Sequence, residues 1–202
     1  MSSQRSGAVA GLAGVLLNVV AVAALGPVPH TYSPADVGAW LAESKAAPTN
    51  TIVSAWAFTV GLVLLAAFGA VLARRLNRAL ATVAAVIFGA GLLLDAAGTL
   101  LPIAALKVDD GVGLALLWAT LLLDSANNGL LGVALICFSL ALPAEWPKAH
   151  RWLGLAAGVT SLPVGLQFAS ADFARLLAIA GPLWLTWIVW ASVRLWRSPD
   201  AA

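Results

Sequence analysis

Two acids stand inside long apolar runs of the chain. Asp95 ends the stretch Gly91-Leu92-Leu93-Leu94-Asp95, and Asp124 ends Leu121-Leu122-Leu123-Asp124. An ionisable group in such a run is costly and is by default a functional-site hypothesis. Asn127 and Asn128 follow Asp124 at i+3 and i+4, so all three share a helix face. Leu131, next on that face, is apolar, which keeps the polar patch short. Gly91, Gly98, Thr99 and Pro102 surround Asp95 at helical steps. The two runs are joined by the turn at Lys107-Val108-Asp109-Asp110. Asp95 lies about 14 residues before the middle of that turn and Asp124 about 15 after it, so a 1.5 Å rise per residue places both at nearly one depth. Asn18 lies at a similar distance from the same boundary. Asn18, Asp95, Asp124, Asn127 and Asn128 are therefore expected to converge on one polar pocket, with Thr99 beside Asp95.

Two buried carboxyls close together cannot both stay ionised cheaply, so the pair holds one or two protons at neutral pH. Proton carriage, general acid catalysis and cation coordination are then all available. The competing reading is structural: protonated acids and asparagines can simply bond helices together. Trp184 and Trp187 share a face in the last apolar run and are candidates to line an apolar substrate pocket or to stabilise a cation. Their plainer reading is packing or lipid contact. Cys137 is the one cysteine, and His30 and His150 fall on opposite sides of the membrane in the topology below. No metal site and no cofactor is expected.

The elements that position these residues follow from composition. Hydrophobic residues make up 61% of the 202 and charged residues 10%. A soluble domain runs near 25% charged, so this chain cannot cover a water-facing surface. Collagen-like, disordered and disulfide-rich classes fail at the same step. A net charge of +2 is too small to imply a nucleic-acid partner. Spanning a bilayer takes about 20 apolar residues. Such stretches occur at about 7–26, 51–73, 79–105, 113–142, 152–168 and 176–196. Lipid offers no partner for an open sheet, and continuous apolar runs do not fit a barrel. The expected fold is all-α: a six-helix transmembrane bundle, one integral membrane domain over 1–202.

Arg5, Arg74, Arg75, Arg78, Lys148, Arg151, Arg194 and Arg197 fall on one side of this topology, and Lys45, Lys107 and Arg175 on the other. The richer side is expected to be cytoplasmic, with both termini there, in a multi-pass cell-membrane protein. Gly7, Gly11, Gly14 and Asn18 recur at steps of three or four in the first run, a packing face of the small-residue kind. That run is also too long for a signal-peptide core. Between the first two runs, Ser33-Pro34 reads as a cap and first turn. Val37, Trp40 and Leu41 then fall on one face, which predicts a short amphipathic helix from about Ser33 to Ala46 on the outer surface. It reads either as an interfacial anchor or as a lid. The arginines at 74–78 read as topology determinants or as contacts to anionic lipid heads.

Three stretches carry a family resemblance: Arg5-Ser6-Gly7-Ala8-Val9-Ala10-Gly11, Ala35-Asp36-Val37-Gly38-Ala39-Trp40 and Leu76-Asn77-Arg78-Ala79-Leu80. Over its first half the chain resembles a family of small bacterial multi-pass membrane proteins of unknown function, which implies the bundle but no activity and no site residue. In outline it is also similar to membrane-bound terpene cyclases. Three functions compete. One is an enzyme acting on a lipid or isoprenoid-like substrate, with Asp95 and Asp124 as catalytic acids and Asn18, Thr99, Asn127, Asn128, Trp184 and Trp187 binding substrate. Another is a proton-coupled carrier or transporter subunit. The third is a non-catalytic accessory protein. Membrane lipids and a lipophilic small molecule are the expected partners, and the residues leave oligomeric state open.

Overall fold

The computed structural model describes residues 3–25 and 34–197. Among these the regular structure is helical throughout: α1 (Ser3–Leu25), α2 (Pro34–Ala46), α3 (Pro48–Leu76), α4 (Ala79–Ala105), α5 (Asp110–Ala141), α6 (Lys148–Val164), α7 (Ala171–Arg175) and α8 (Leu177–Arg197). Five stretches are long and apolar enough to cross a membrane: Ser3–Ala23, Pro48–Leu76, Ala79–Ala105, Asp110–Ala141 and Asp172–Arg197. At 17 residues, α6 is shorter than these. The sequence reading places a span at 152–168, but the helix stops at Val164. Pro163 and Gly165 stand at that point, and the chain continues in tight turns whose amides, from Gly165 to Gln167, bond carbonyls two to four residues back. The cap expected at Ser33 lies outside the described residues, as does His30.

Consecutive long helices pack side by side, α1 on α3, α3 on α4, α4 on α5 and α5 on α6, and α8 closes the ring by touching both α6 and α1. The turn between α3 and α4 is short because Asn77 adopts a left-handed conformation (φ 47°) that ends α3 and reverses the chain. At the other end Asp109 caps α5 by accepting from the Val112 amide at 3.0 Å.

Small residues set the closest approaches. In α1, a Cβ on Gly14 would lie 2.9 Å from the Gly61 carbonyl oxygen, and one on Gly7 would enter Val71. The glycine face read in the first run thus meets α3, with Gly11 also against Ser192 of α8. Between α5 and α6 a second seam runs through Gly132 and Gly158. A Cβ on either would stand 2.8 or 2.7 Å from the other's carbonyl oxygen.

Two apolar clusters fill the ring. The larger, toward the arginine-rich end, includes Leu65, Phe68, Phe88, Leu135, Phe138 and Trp187. The smaller, toward the opposite end, joins Val37 and Leu41 of α2 to Ala105, Leu117 and Leu121. α2 therefore buries its apolar side on α4 and α5, and Lys45 holds it there through Asp110 at 2.7 Å.

A Cβ at Gly158 would meet Ile136 Cγ1 at 2.6 Å and also two backbone atoms, Gly132 O at 2.7 Å and Ile136 N at 3.1 Å, so a side chain there must separate the helices. Gly158→Leu is expected to cost about 1–3 kcal/mol in a reversible unfolding assay in detergent or bicelles. Gly89→Ala in α4, where a Cβ meets nothing within 4 Å, is the control and is expected to be neutral or stabilising by up to about 1 kcal/mol. Equal effects at both positions would show that the α5–α6 seam is not a tight contact.

Candidate functional site

Between the two apolar clusters lies a layer of polar side chains contributed by α4, α5 and the turn after α6. Asp95 of α4 is buried, 5% exposed, and its Oδ2 accepts from Asn127 Nδ2 of α5 at 2.9 Å. Asp124, one turn from Asn127 on α5, is half-buried. Its Oδ1 accepts from Asn128 Nδ2 at 3.1 Å, and the same amide donates to the Asp124 main-chain oxygen at 2.9 Å. Its Oδ2 accepts from Gln167 Nε2 at 2.6 Å. Asp95 and Asp124 thus meet one short stretch of α5, Asp95 through Asn127 and Asp124 through Asn128. Among the described residues neither acid has a basic partner; the two ion pairs, Lys45–Asp110 and Asp172–Arg175, are elsewhere.

Glycines bring these groups together. Gly91 and Gly98 flank Asp95 on the side that meets α5. A Cβ on Gly91 would stand 3.0 Å from Asn127 Oδ1, and one on Gly98 would stand 3.1 Å from Leu123 Cβ. Thr120 of α5 adds a bond across the same contact, donating to the Gly98 carbonyl at 3.1 Å. On the far side of α5, Gly165 approaches Gly129 so closely that a Cβ would lie 2.9 Å from the Gly129 Cα. That approach brings Gln167, itself 1% exposed, onto Asp124.

The structure thus joins Asp95 to Asn127 and Asp124 to Asn128. Thr99 is one turn from Asp95. Its hydroxyl shares a 2.9 Å hydrogen bond with Thr59 of α3 and donates to the Ala96 carbonyl, so it braces α3 on α4. Three expected members are placed elsewhere. Asn18 donates to Gly14 of its own helix at 2.8 Å and packs against Gly61. It belongs to the α1–α3 contact, and α1 leans on α3 and α8 rather than on α4 or α5. Trp187 is fully buried, 5.9 Å from Phe138 between ring centres. Phe138 is 14 residues beyond Asp124 on α5, on the order of 20 Å along the axis. Trp184 packs on the same core cluster one turn away. Neither tryptophan stands beside the acids.

Trp187 instead joins a second group at the arginine-rich end. His150 is fully buried there, stacked on Trp146 at 5.2 Å and on Trp187 at 5.3 Å, with Trp190 at 4.9 Å. Its Nε2 is 3.2 Å from the Trp187 carbonyl oxygen. His150 is a core ring, remote from the acids. The partner that the sequence reading missed is Gln167. It stands beyond the helix end, where polar residues are normal, and its signal is the Pro163–Gly165 stop just before it.

The chemistry available to the layer is that of two carboxyls held by amides. No protein-family model matches the chain, and no curated protein or solved structure matches it.

If the Gln167–Asp124 bond carries weight, Gln167→Leu is expected to destabilise the fold by about 1–3 kcal/mol. In a double-mutant cycle with Asp124→Leu, which removes the acceptor, the pair is expected to show a coupling of about 1 kcal/mol or more. Strictly additive effects on unfolding would show the contact to be idle.

Proposed function

We propose that the Asp95–Asp124 layer is the proton-exchanging centre of an integral membrane protein, most simply of a proton-coupled carrier for a small molecule. One observation carries the reading: both acids are met by amides alone. A lysine or arginine partner would hold a carboxylate permanently ionised. An amide offers a donor and an acceptor, so turning it over serves a carboxylate and a carboxylic acid equally well. Asn127 fits this use, because its Oδ1 is buried beside Gly91 with no partner while its Nδ2 serves Asp95. The acids also differ in access, Asp124 half-buried and Asp95 buried. A proton would arrive at Asp124 and be shared with Asp95.

The same half-buried Asp124 supports a second reading, general acid catalysis on a lipid or isoprenoid-like molecule reaching it from the bilayer. That reading loses its aromatic wall, since Trp184 and Trp187 stand with the core cluster at the far end. The carrier reading needs no such wall and is preferred.

In this reading α6 makes a sixth crossing. Its 17 residues rise about 26 Å, and the turns after it supply the remaining depth. The arginine-rich end then faces the cytoplasm with both termini, and α2 lies across the outer ends of α4 and α5. Cysteines placed at Ala46 and Arg78 in a Cys137→Ser background test the topology. A membrane-impermeant maleimide is expected to label the first and spare the second in intact cells. The reverse pattern would invert the orientation.

The centre itself is tested by infrared titration of the protein in liposomes. The carboxylic C=O band is expected to change with pH, to lose one component in Asp95→Asn and the other in Asp124→Asn, and to shift in the component that remains. A spectrum whose carboxylic bands do not respond to pH, or respond identically in the double Asp→Asn variant, would defeat the proposal.

A further inference from the structure

At the arginine-rich end, outside the acid layer, a pocket of about 310 Å³ opens between the start of α1 and the end of α3. Its lining is Ser3 and Gln4 of α1 with Val71, Arg74, Arg75 and Asn77. Both guanidiniums are exposed and make no hydrogen bond or ion pair within the described chain. Among the described residues no acid lines the pocket, although α3 ends there with its carbonyls pointing outward. Gln4 also lines the pocket, and its Oε1 is buried with no partner. By contrast Arg5, one residue on, stands 5.8 Å over the Trp196 ring of α8, so not every arginine at this end is free.

We infer that this pocket binds a phosphate group as carried by the head of an anionic phospholipid. Two guanidiniums present flat donor forks that match phosphate oxygens. The Ser3 hydroxyl and the Gln4 amide add neutral donors. The place fits a lipid rather than a dissolved anion. The pocket sits where the apolar stretch of α3 ends. Directly along the same two helices run exposed apolar side chains, Leu12 and Leu16 of α1 and Val60 and Val63 of α3, against which acyl chains would lie. Basic pockets between membrane helices at the cytoplasmic boundary are a recognised form of lipid-head recognition. The opening left between Arg74, Arg75 and Gln4 is large enough for a phosphodiester and its head group, whereas a pure topology signal needs charge but no cavity.

The test is native mass spectrometry of the purified full chain released from nanodiscs that contain phosphatidylglycerol and phosphatidylcholine. The wild type is expected to retain phosphatidylglycerol selectively. Arg74→Gln/Arg75→Gln is expected to weaken that retention on the order of tenfold. Arg78→Gln removes the same charge outside the pocket and is expected to leave retention unchanged. Ser3→Trp blocks the pocket without altering charge, so it reports even if the double arginine variant folds poorly, and it is expected to reduce retention as well. Added inorganic phosphate distinguishes the sources: failure to displace the lipid supports lipid-head recognition, and full displacement at equal concentration would show a site for free phosphate and overturn the lipid assignment. Equal loss in Arg78→Gln, or full retention in both pocket variants, would reduce the effect to diffuse surface charge and overturn the inference.

Discussion

A carboxyl in the middle of a membrane bundle must find its hydrogen-bond partners inside the protein, because the surrounding hydrocarbon supplies none. The chain meets this demand for Asp95 and Asp124 with short side chains, Asn127 and Asn128, and with one longer one, Gln167. Such reaches work only if the backbones nearly touch. Gly91 and Gly98 allow this between α4 and α5, and Gly129 and Gly165 allow it between α5 and the end of α6. Removing a Cβ from these contacts is what makes the polar layer possible. Much of the rest of the ring serves that approach: Gly132 against Gly158 continues the α5 seam, and Thr120 ties α5 to the Gly98 carbonyl.

In lipid, apolar side chains gain little by leaving one apolar surface for another, so helix association rests on close packing and on polar bonds. The ring divides these tasks by level. Toward the arginine-rich end, aromatic rings interlock: Phe88 meets Phe138 edge-on at 6.1 Å, Phe138 meets Trp187, and Trp187 meets His150. At the level of the acids, amides do the joining. At the opposite end the small cluster under α2 closes the structure. Substituting a branched side chain at Gly91 would therefore act on Asp95 indirectly, by pushing Asn127 off its carboxyl.

Depth was legible from the residues, and rotation was not. Counting from the shared turn puts Asp95 and Asp124 at one level, and Asn127, one turn from Asp124, reaches Asp95 across the α4–α5 contact. The i+3 and i+4 spacing identified Asn127 and Asn128, because both lie on the helix that carries Asp124. The same reasoning misplaced Asn18. Its depth was similar, but the glycines that precede it turn that face toward α3, where Asn18 bonds Gly14 and meets Gly61. Trp184 and Trp187 share a face, as read, yet that face meets Phe138 and His150 rather than the acids. Nothing in one helix states which neighbour its stripe will meet; the ring order α1–α3–α4–α5–α6–α8 decides that. Gln167 escaped notice because it belongs to a turn, and only the contact between Gly165 and Gly129 carries it inward.

The unequal strength of the two ends bears on how a proton centre in the middle would be reached. Opening toward the arginine-rich end would have to separate Phe88, Phe138, Trp187 and His150, all buried to within 2% of full coverage. Each aromatic side chain removed from such packing costs several kcal/mol. Opening toward the opposite end would have to lift α2, held by Val37 and Leu41 on Ala105, Leu117 and Leu121 and by the Lys45–Asp110 pair. Asp110 is 82% exposed, so that pair contributes at most about 1 kcal/mol. Leu121 lies one turn from Asp124, which makes the base of the α2 contact also the roof of the acid layer. In the proposed carrier, the least costly access to Asp124 from water would run beneath α2, with the aromatic end as the fixed base.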